Sequence, residues 1–207
     1  MFNHPAIRKC KESVRRAGNF QARPKLFITR VMVEEIMNHC RDTPHLVPYS
    51  MWFLRTYCFL LRLPSEALPI KICEDSLCIQ DNTLVLRLAR RKNKPNGSRL
   101  VRTCWCAESK VFQRIIVKTK FRYALRWQAT CPVHVIGHWL AEQPAGSAPF
   151  HSISAASVLY MLRDILGALG VEQSDQYRCH DLRRGHARDL QCSGCSPVLL
   201  ASASCLT

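Results

Sequence analysis

Acidic residues are scarce in this chain. Fifteen aspartates and glutamates stand against 30 lysines and arginines, a formal charge of +15 at pH 7. A surface so unbalanced attracts polyanions, and nucleic acid is the leading candidate for a partner. The plainer reading is a solvated basic surface with no such partner. Long apolar runs are missing too. No stretch of about 18 apolar residues occurs, which argues against a helical membrane span. Residues 1–11 carry charges and no apolar run of the kind a secretory signal needs, so an intracellular protein is expected. No internal repeat is visible. What is present suits a globular domain: 47% of the 207 residues are hydrophobic, enough for one sizeable core. In an intracellular setting the 12 cysteines read as reduced thiols, buried fillers or metal ligands, not as a disulfide framework.

Hydrophobic spacing predicts helices at both ends of the chain and strands between them. Residues 4–17 read as a basic helix, followed by a linker-like stretch over 18–25. Ile28, Val31, Met32 and Ile36 are spaced for a helix with Thr29 near its start. A second apolar helix is expected over 49–63, and Pro64-Ser65-Glu66 over the start of a short third one, with Ser65 as its cap. Residues 70–73, 77–79 and 83–88 are β-type runs, Asn96-Gly97 is a turn signal, and 99–105 can return as a strand. These make a small antiparallel sheet with a basic hairpin, Arg90-Arg91-Lys92-Asn93-Lys94, at its tip. Helices resume at Pro132, over 152–170, and over 179–191.

The segment His180-Asp181-Leu182-Arg183-Arg184-Gly185-His186-Ala187 stands out. Its His180 and Arg183 share one face of a helix. An imidazole moves protons near neutral pH, and a guanidinium forks onto a phosphate. A second arginine, Arg62, lies in Leu61-Arg62-Leu63-Pro64-Ser65-Glu66-Ala67-Leu68, where Glu66 is the nearest partner for its charge. Plainer roles remain open: Arg62 as half of a structural pair with Glu66, His180 as a tether for its own helix start, the hairpin lysines as a solvated tip, Asp181 as a cap and His186 as packing.

An arginine box, a lysine-bearing hairpin and H-x-x-R, in that order, resemble the catalytic domain of the tyrosine recombinases, the phage-integrase-like enzymes. The wording of the two boxes is most similar to eukaryotic mobile-element members of the Crypton and DIRS type. The resemblance covers residues 22–207, with 1–21 similar to the end of a preceding DNA-clamping domain and its linker. It implies a mixed α/β fold, mainly helical with a small antiparallel sheet, and DNA recombination or integration as the function. It further implies that Arg62 and Arg183 clamp a DNA phosphate, that His180 handles the proton of a tyrosine nucleophile, and that Lys92, or Lys94 as second choice, protonates the departing 5′-oxygen. Arg90, Arg91, Lys94 and Arg184 would grip the DNA. No cofactor is required for that chemistry. DNA is the partner implied, with assembly of several copies on it and a monomer otherwise; residence in the nucleus would follow from that function.

The sequence departs from the family in one respect. Members carry a further His or Trp and then the nucleophilic Tyr beyond H-x-x-R, whereas no Tyr, Trp or His follows His186 here. DNA binding without strand cleavage is therefore expected of these residues. Residues 111–128 hold five basic side chains and no acidic one; a DNA-contacting insert and a retained intron in the gene are both open readings. Finally, Cys104-x-Cys106 and Cys131-x-x-His134 offer three thiolates and an imidazole, a feasible tetrahedral zinc set.

Overall fold

In a computed structural model, the described residues are 9, 12–13, 25–62, 65–73, 75–80, 83–91, 96–104 and 131–194. The expected basic N-terminal helix, its linker, Lys92, Lys94, Cys106 and residues 111–128 lie outside them, apart from Lys9, Glu12 and Ser13, which are helical. The architecture is mixed α/β. Among the described residues, helices α1 (Arg30–Cys40), α2 (Val47–Phe59), α3 (Pro132–Ala141), α4 (Ala155–Ala168) and α5 (His180–Cys192) accompany a three-stranded antiparallel sheet of β1 (Leu77–Gln80), β2 (Thr83–Leu88) and β3 (Ser98–Arg102), in the order β1-β2-β3, with α2 and α3 packed on the sheet.

Helix α2 is the axis of the core. Every residue from Ser50 to Phe59 is buried, as its near-uniform apolar sequence requires. Helices α1, α3 and α5 and strand β3 pack around it. The sheet presents Leu86, with its cross-strand partners Leu77 and Leu100, to the same core. Gly97 closes the β2–β3 connection at φ +83°, where a side chain would also strike the Leu88 carbonyl.

Three sequence expectations change in the folded chain. Helix α2 stops at Phe59 instead of running to Leu63. Leu60 takes the left-handed conformation (φ 54°), and the Leu60 and Leu61 amides donate back to the Tyr57 and Thr56 carbonyls. This double closure satisfies the helix end and outweighs the roughly 1–2 kcal/mol that left-handed backbone costs a residue with a Cβ. Residues 65–67 form a turn, in which the Glu66 amide donates to the Arg62 carbonyl (3.0 Å). Residues 70–73 contribute a single bridge, Ile72 to Leu77, because the Ile72 amide and carbonyl are taken by Ser147 and Gly146 (2.9 and 2.8 Å). Helix α4 begins at Ala155, where Ser154 and Ser157 cap one another reciprocally.

Helix α5 is seated by an unusually close approach. A methyl group on Gly185 would overlap the Ile28 carbonyl, so the helix lies directly against the extended segment before α1. The Ile28 amide donates to the Asp181 carbonyl (3.0 Å). At the far end of the same face, Asp189 accepts from the Arg30 amide (2.7 Å) and from the Tyr57 hydroxyl (2.5 Å). Gly185→Ala is expected to lower stability by about 3 kcal/mol through overpacking against backbone that cannot move aside. Gly167→Ala in α4, which meets only the Ser174 hydroxyl at 3.3 Å, should be neutral or mildly stabilising through helix propensity. Urea denaturation of the two variants checks the contrast; equal midpoints would show that α5 can lift off Ile28.

A candidate phosphate site and a candidate metal site

The first turn of α5 carries His180, Arg183 and Arg184 on a well-supported base. Asp181 is buried, and its carboxylate accepts from the Arg178 amide (2.8 Å) and from the Arg184 guanidinium (2.9 Å). It therefore ties down the helix entry and aims Arg184, beyond the capping role expected of it. His180 is exposed. Partial desolvation, and then the positive charges of Arg184, Arg183 and Arg62, hold its pKa below the ordinary value, with Asp181 opposing them. The tertiary fold thus brings Arg62, from the turn after α2, close enough to His180 for its charge to be felt there. The charges of Arg184, Arg183 and Arg62, from two separate elements, act on His180 in the same sense, and that of Asp181 acts against them.

Glu66 does not serve Arg62 as expected. One carboxylate oxygen accepts from the Arg62 backbone amide (3.1 Å), and the other faces the Arg91 guanidinium (3.5 Å). Glu66 and Arg91 are both buried, at 2% and 7% side-chain exposure. Arg91 therefore belongs to an internal ion pair, not to an exposed DNA-contacting tip. Pairing is what makes its burial tolerable. Arg90, its neighbour, is exposed. Glu66 positions Arg62 through the main chain and leaves its guanidinium for another anion.

Residues that the sequence did not single out, the half-buried Arg102 and the buried Arg55 among them, complete the surroundings. Arg102, on β3, donates from Nε to the Cys58 carbonyl at the end of α2 (2.6 Å) and lies over the Phe59 ring (5.2 Å). Arg55 is fully buried, donates to the Ala67 carbonyl and stacks on Phe150 (4.1 Å). Burial pushes its pKa down to about 9, so it remains charged at neutral pH. No pattern marks either arginine in the sequence, since only packing separates them from surface ones. Tyr57 and Tyr177 are buried, and burial leads the causes that raise both phenol pKa values. Neither is poised to ionise as a nucleophile.

A second cluster lies where the end of β3 meets the start of α3. The Cys104 and Cys131 sulfurs are 3.7 Å apart, and the His134 Nδ1 is 3.8 Å from the Cys104 sulfur. All three ligand atoms fall within 4.8 Å of one another. Two sulfurs bound to one tetrahedral zinc sit about 3.8 Å apart, so the three side chains present already have the spacing of a metal site. Cys106, the fourth expected ligand, lies outside the described residues. The eight described cysteines are all free thiols.

No protein-family model and no curated protein matches this sequence. Among the described residues no helix is long and apolar enough to cross a membrane.

His186 packs as expected, edge-on against the Tyr57 ring (4.6 Å, 87°). Burial, helped by the Arg102 and Arg30 charges, lowers its pKa to about 3. The unfolded chain takes up this proton near pH 6.5, whereas the native state refuses it until about 3. Between those values the unfolded state holds more protons, so stability falls as pH falls. The loss should reach about 2 kcal/mol by pH 5 relative to pH 7. Urea melts at the two pH values, with His186→Leu as the comparison, check this: the variant should lose most of the difference.

Proposed function

We propose that this chain binds DNA through a phosphate site made of Arg62, His180, Arg183 and Arg184, in the manner of a tyrosine-recombinase catalytic domain. The observation that carries the reading is that the Arg62 charge acts on His180 together with those of Arg183 and Arg184, so that one imidazole feels both arginine boxes. Guanidiniums from two separate elements can hold different non-bridging oxygens of one phosphodiester, and they would offset the charge of a pentacoordinate transition state. His180, neutral at pH 7 in the free protein, is suited to accept a proton from an attacking hydroxyl. The mixed α/β framework and the overall charge of +15 support the same reading. DNA recombination or integration is the activity it points to, and residence in the nucleus follows only from DNA as the partner.

Grip without cleavage is the second reading, favoured by the raised phenol pKa values of Tyr57 and Tyr177. Zinc is the metal that two thiolates and an imidazole suit. In both readings it would be structural, with no step of the phosphodiester chemistry assigned to it.

Fluorescence anisotropy on a short duplex tests the site. Arg62→Ala and Arg183→Ala should each weaken binding about tenfold to a hundredfold and should each flatten the log–log salt dependence by about 0.9. Their effects should be non-additive if they share one phosphate. Full additivity, or affinity indifferent to salt, would overturn the reading. A bound phosphate favours the imidazolium, so binding draws a proton onto His180 and affinity should rise as pH falls from 8 to 6. His180→Ala should remove that trend. A denaturation-resistant protein–DNA adduct would decide for cleavage over grip.

A further inference from the structure

The metal cluster and the phosphate site share a structural neighbour, the C-terminal end of α2. Helix α3, which Cys131 caps, packs on α2, which carries Cys58 at its C-terminal end. Cys104 follows β3 by two residues, and the last residue of that strand, Arg102, holds the Cys58 carbonyl at 2.6 Å. Two residues after Cys58 the chain turns through left-handed Leu60 and reaches Arg62. A second path runs from β3 across its pairing with β2 to Arg91, which follows β2, and through the buried Arg91–Glu66 pair to the Arg62 amide. Both paths start at β3, the strand that leads to Cys104, and finish at the backbone of Arg62.

The ligands also come from separate elements. Cys104 lies two residues past β3, while Cys131 caps α3 and His134 lies in its first turn, with residues 105–130 between them in sequence. A bound ion would tie the strand to the helix directly behind the end of α2. Cys131 is fully buried, whereas His134 is exposed, so the site faces solvent on one side and an ion can enter without unfolding the core.

We propose that a zinc ion on Cys104, Cys131 and His134 acts as a clasp that fixes the end of β3 against α2 and thereby sets the position of Arg62. This rests on the reading of the arginine cluster as a phosphate site. Loading two thiols and an imidazole releases the thiol protons and requires no redox partner. The ion contributes no charge to the phosphate; its effect is to hold ready a backbone turn that would otherwise be ordered only on binding.

The test uses the full chain, stripped with a chelator and reloaded. Cobalt(II) should give the intense near-ultraviolet thiolate-to-metal band and visible ligand-field bands of a tetrahedral sulfur-bearing site, and zinc should displace it at one ion per chain. His134→Ala, an exposed substitution, should weaken cobalt binding without unfolding the protein. In the wild type, zinc should raise affinity for a short duplex about tenfold; in Arg62→Ala it should raise it little. A stripped chain that gives no cobalt–thiolate band overturns the metal site. A clear band with equal duplex affinity in stripped and loaded protein overturns the clasp, as does an undiminished zinc effect in Arg62→Ala. If Arg62→Ala and Arg183→Ala bind duplex as tightly as the wild type whatever the zinc content, the phosphate reading fails and takes the coupling with it, and the cobalt band alone then decides the metal site.

Discussion

The absence of a side chain at Gly185 lets α5 lie directly on the backbone at Ile28, and much of the candidate site depends on that contact. With the helix seated there, the Ile28 amide can reach the Asp181 carbonyl, and Asp189 can gather the Arg30 amide and the Tyr57 hydroxyl. These bonds link α5 to the start of α1 and to the C-terminal end of α2. Helix α2 ends at Phe59, and the turn that follows carries Arg62, whose charge acts on His180 at the start of α5. A larger residue at position 185 would displace the H-x-x-R helix relative to Arg62 and separate two halves of one electrostatic site.

The distribution of charge follows a consistent logic. Buried and half-buried cations are compensated: Arg91 by Glu66, the half-buried Arg102 by the Cys58 and Val101 carbonyls and the Phe59 ring, Arg55 by a carbonyl and the Phe150 face. Buried charge needs such partners because desolvation would otherwise cost several kcal/mol. At the solvent-facing site the balance differs. Asp181 pairs with Arg184 and fixes its direction, and Glu66 holds the backbone of Arg62. Partial desolvation first, and then the excess of positive charge nearby, depress the pKa of His180, and a bound anion would oppose that shift.

Much of the secondary structure was legible from spacing alone. Helices α1, α3, α4 and α5 and strands β1 to β3 lie within a few residues of where periodicity puts them, because amphipathic patterns and turn residues report local geometry directly. The errors fall at particular residues. A leucine in left-handed backbone carries no sequence signal, so the end of α2 was placed too late. Ile72 looks like a strand residue, but its hydrogen bonds go to a turn from a distant part of the chain. Arg91 sits in a basic run that reads as a solvated tip, and only the buried Glu66 beside it shows otherwise.

The sequence by itself determined the elements, the excess of basic charge, the pairing of His180 with Arg183 on one helical face, and three ligands of a candidate metal site. Each is a matter of composition or near-neighbour spacing, which the chain carries whatever its fold. Tertiary structure decided which cations are available to a ligand. It buried Arg91 and Arg55, half-buried Arg102, let the Arg62 charge act on His180, and set Cys104 against Cys131 and His134. Those outcomes depend on desolvation and on contacts between residues remote in sequence, and neither can be read from any local window.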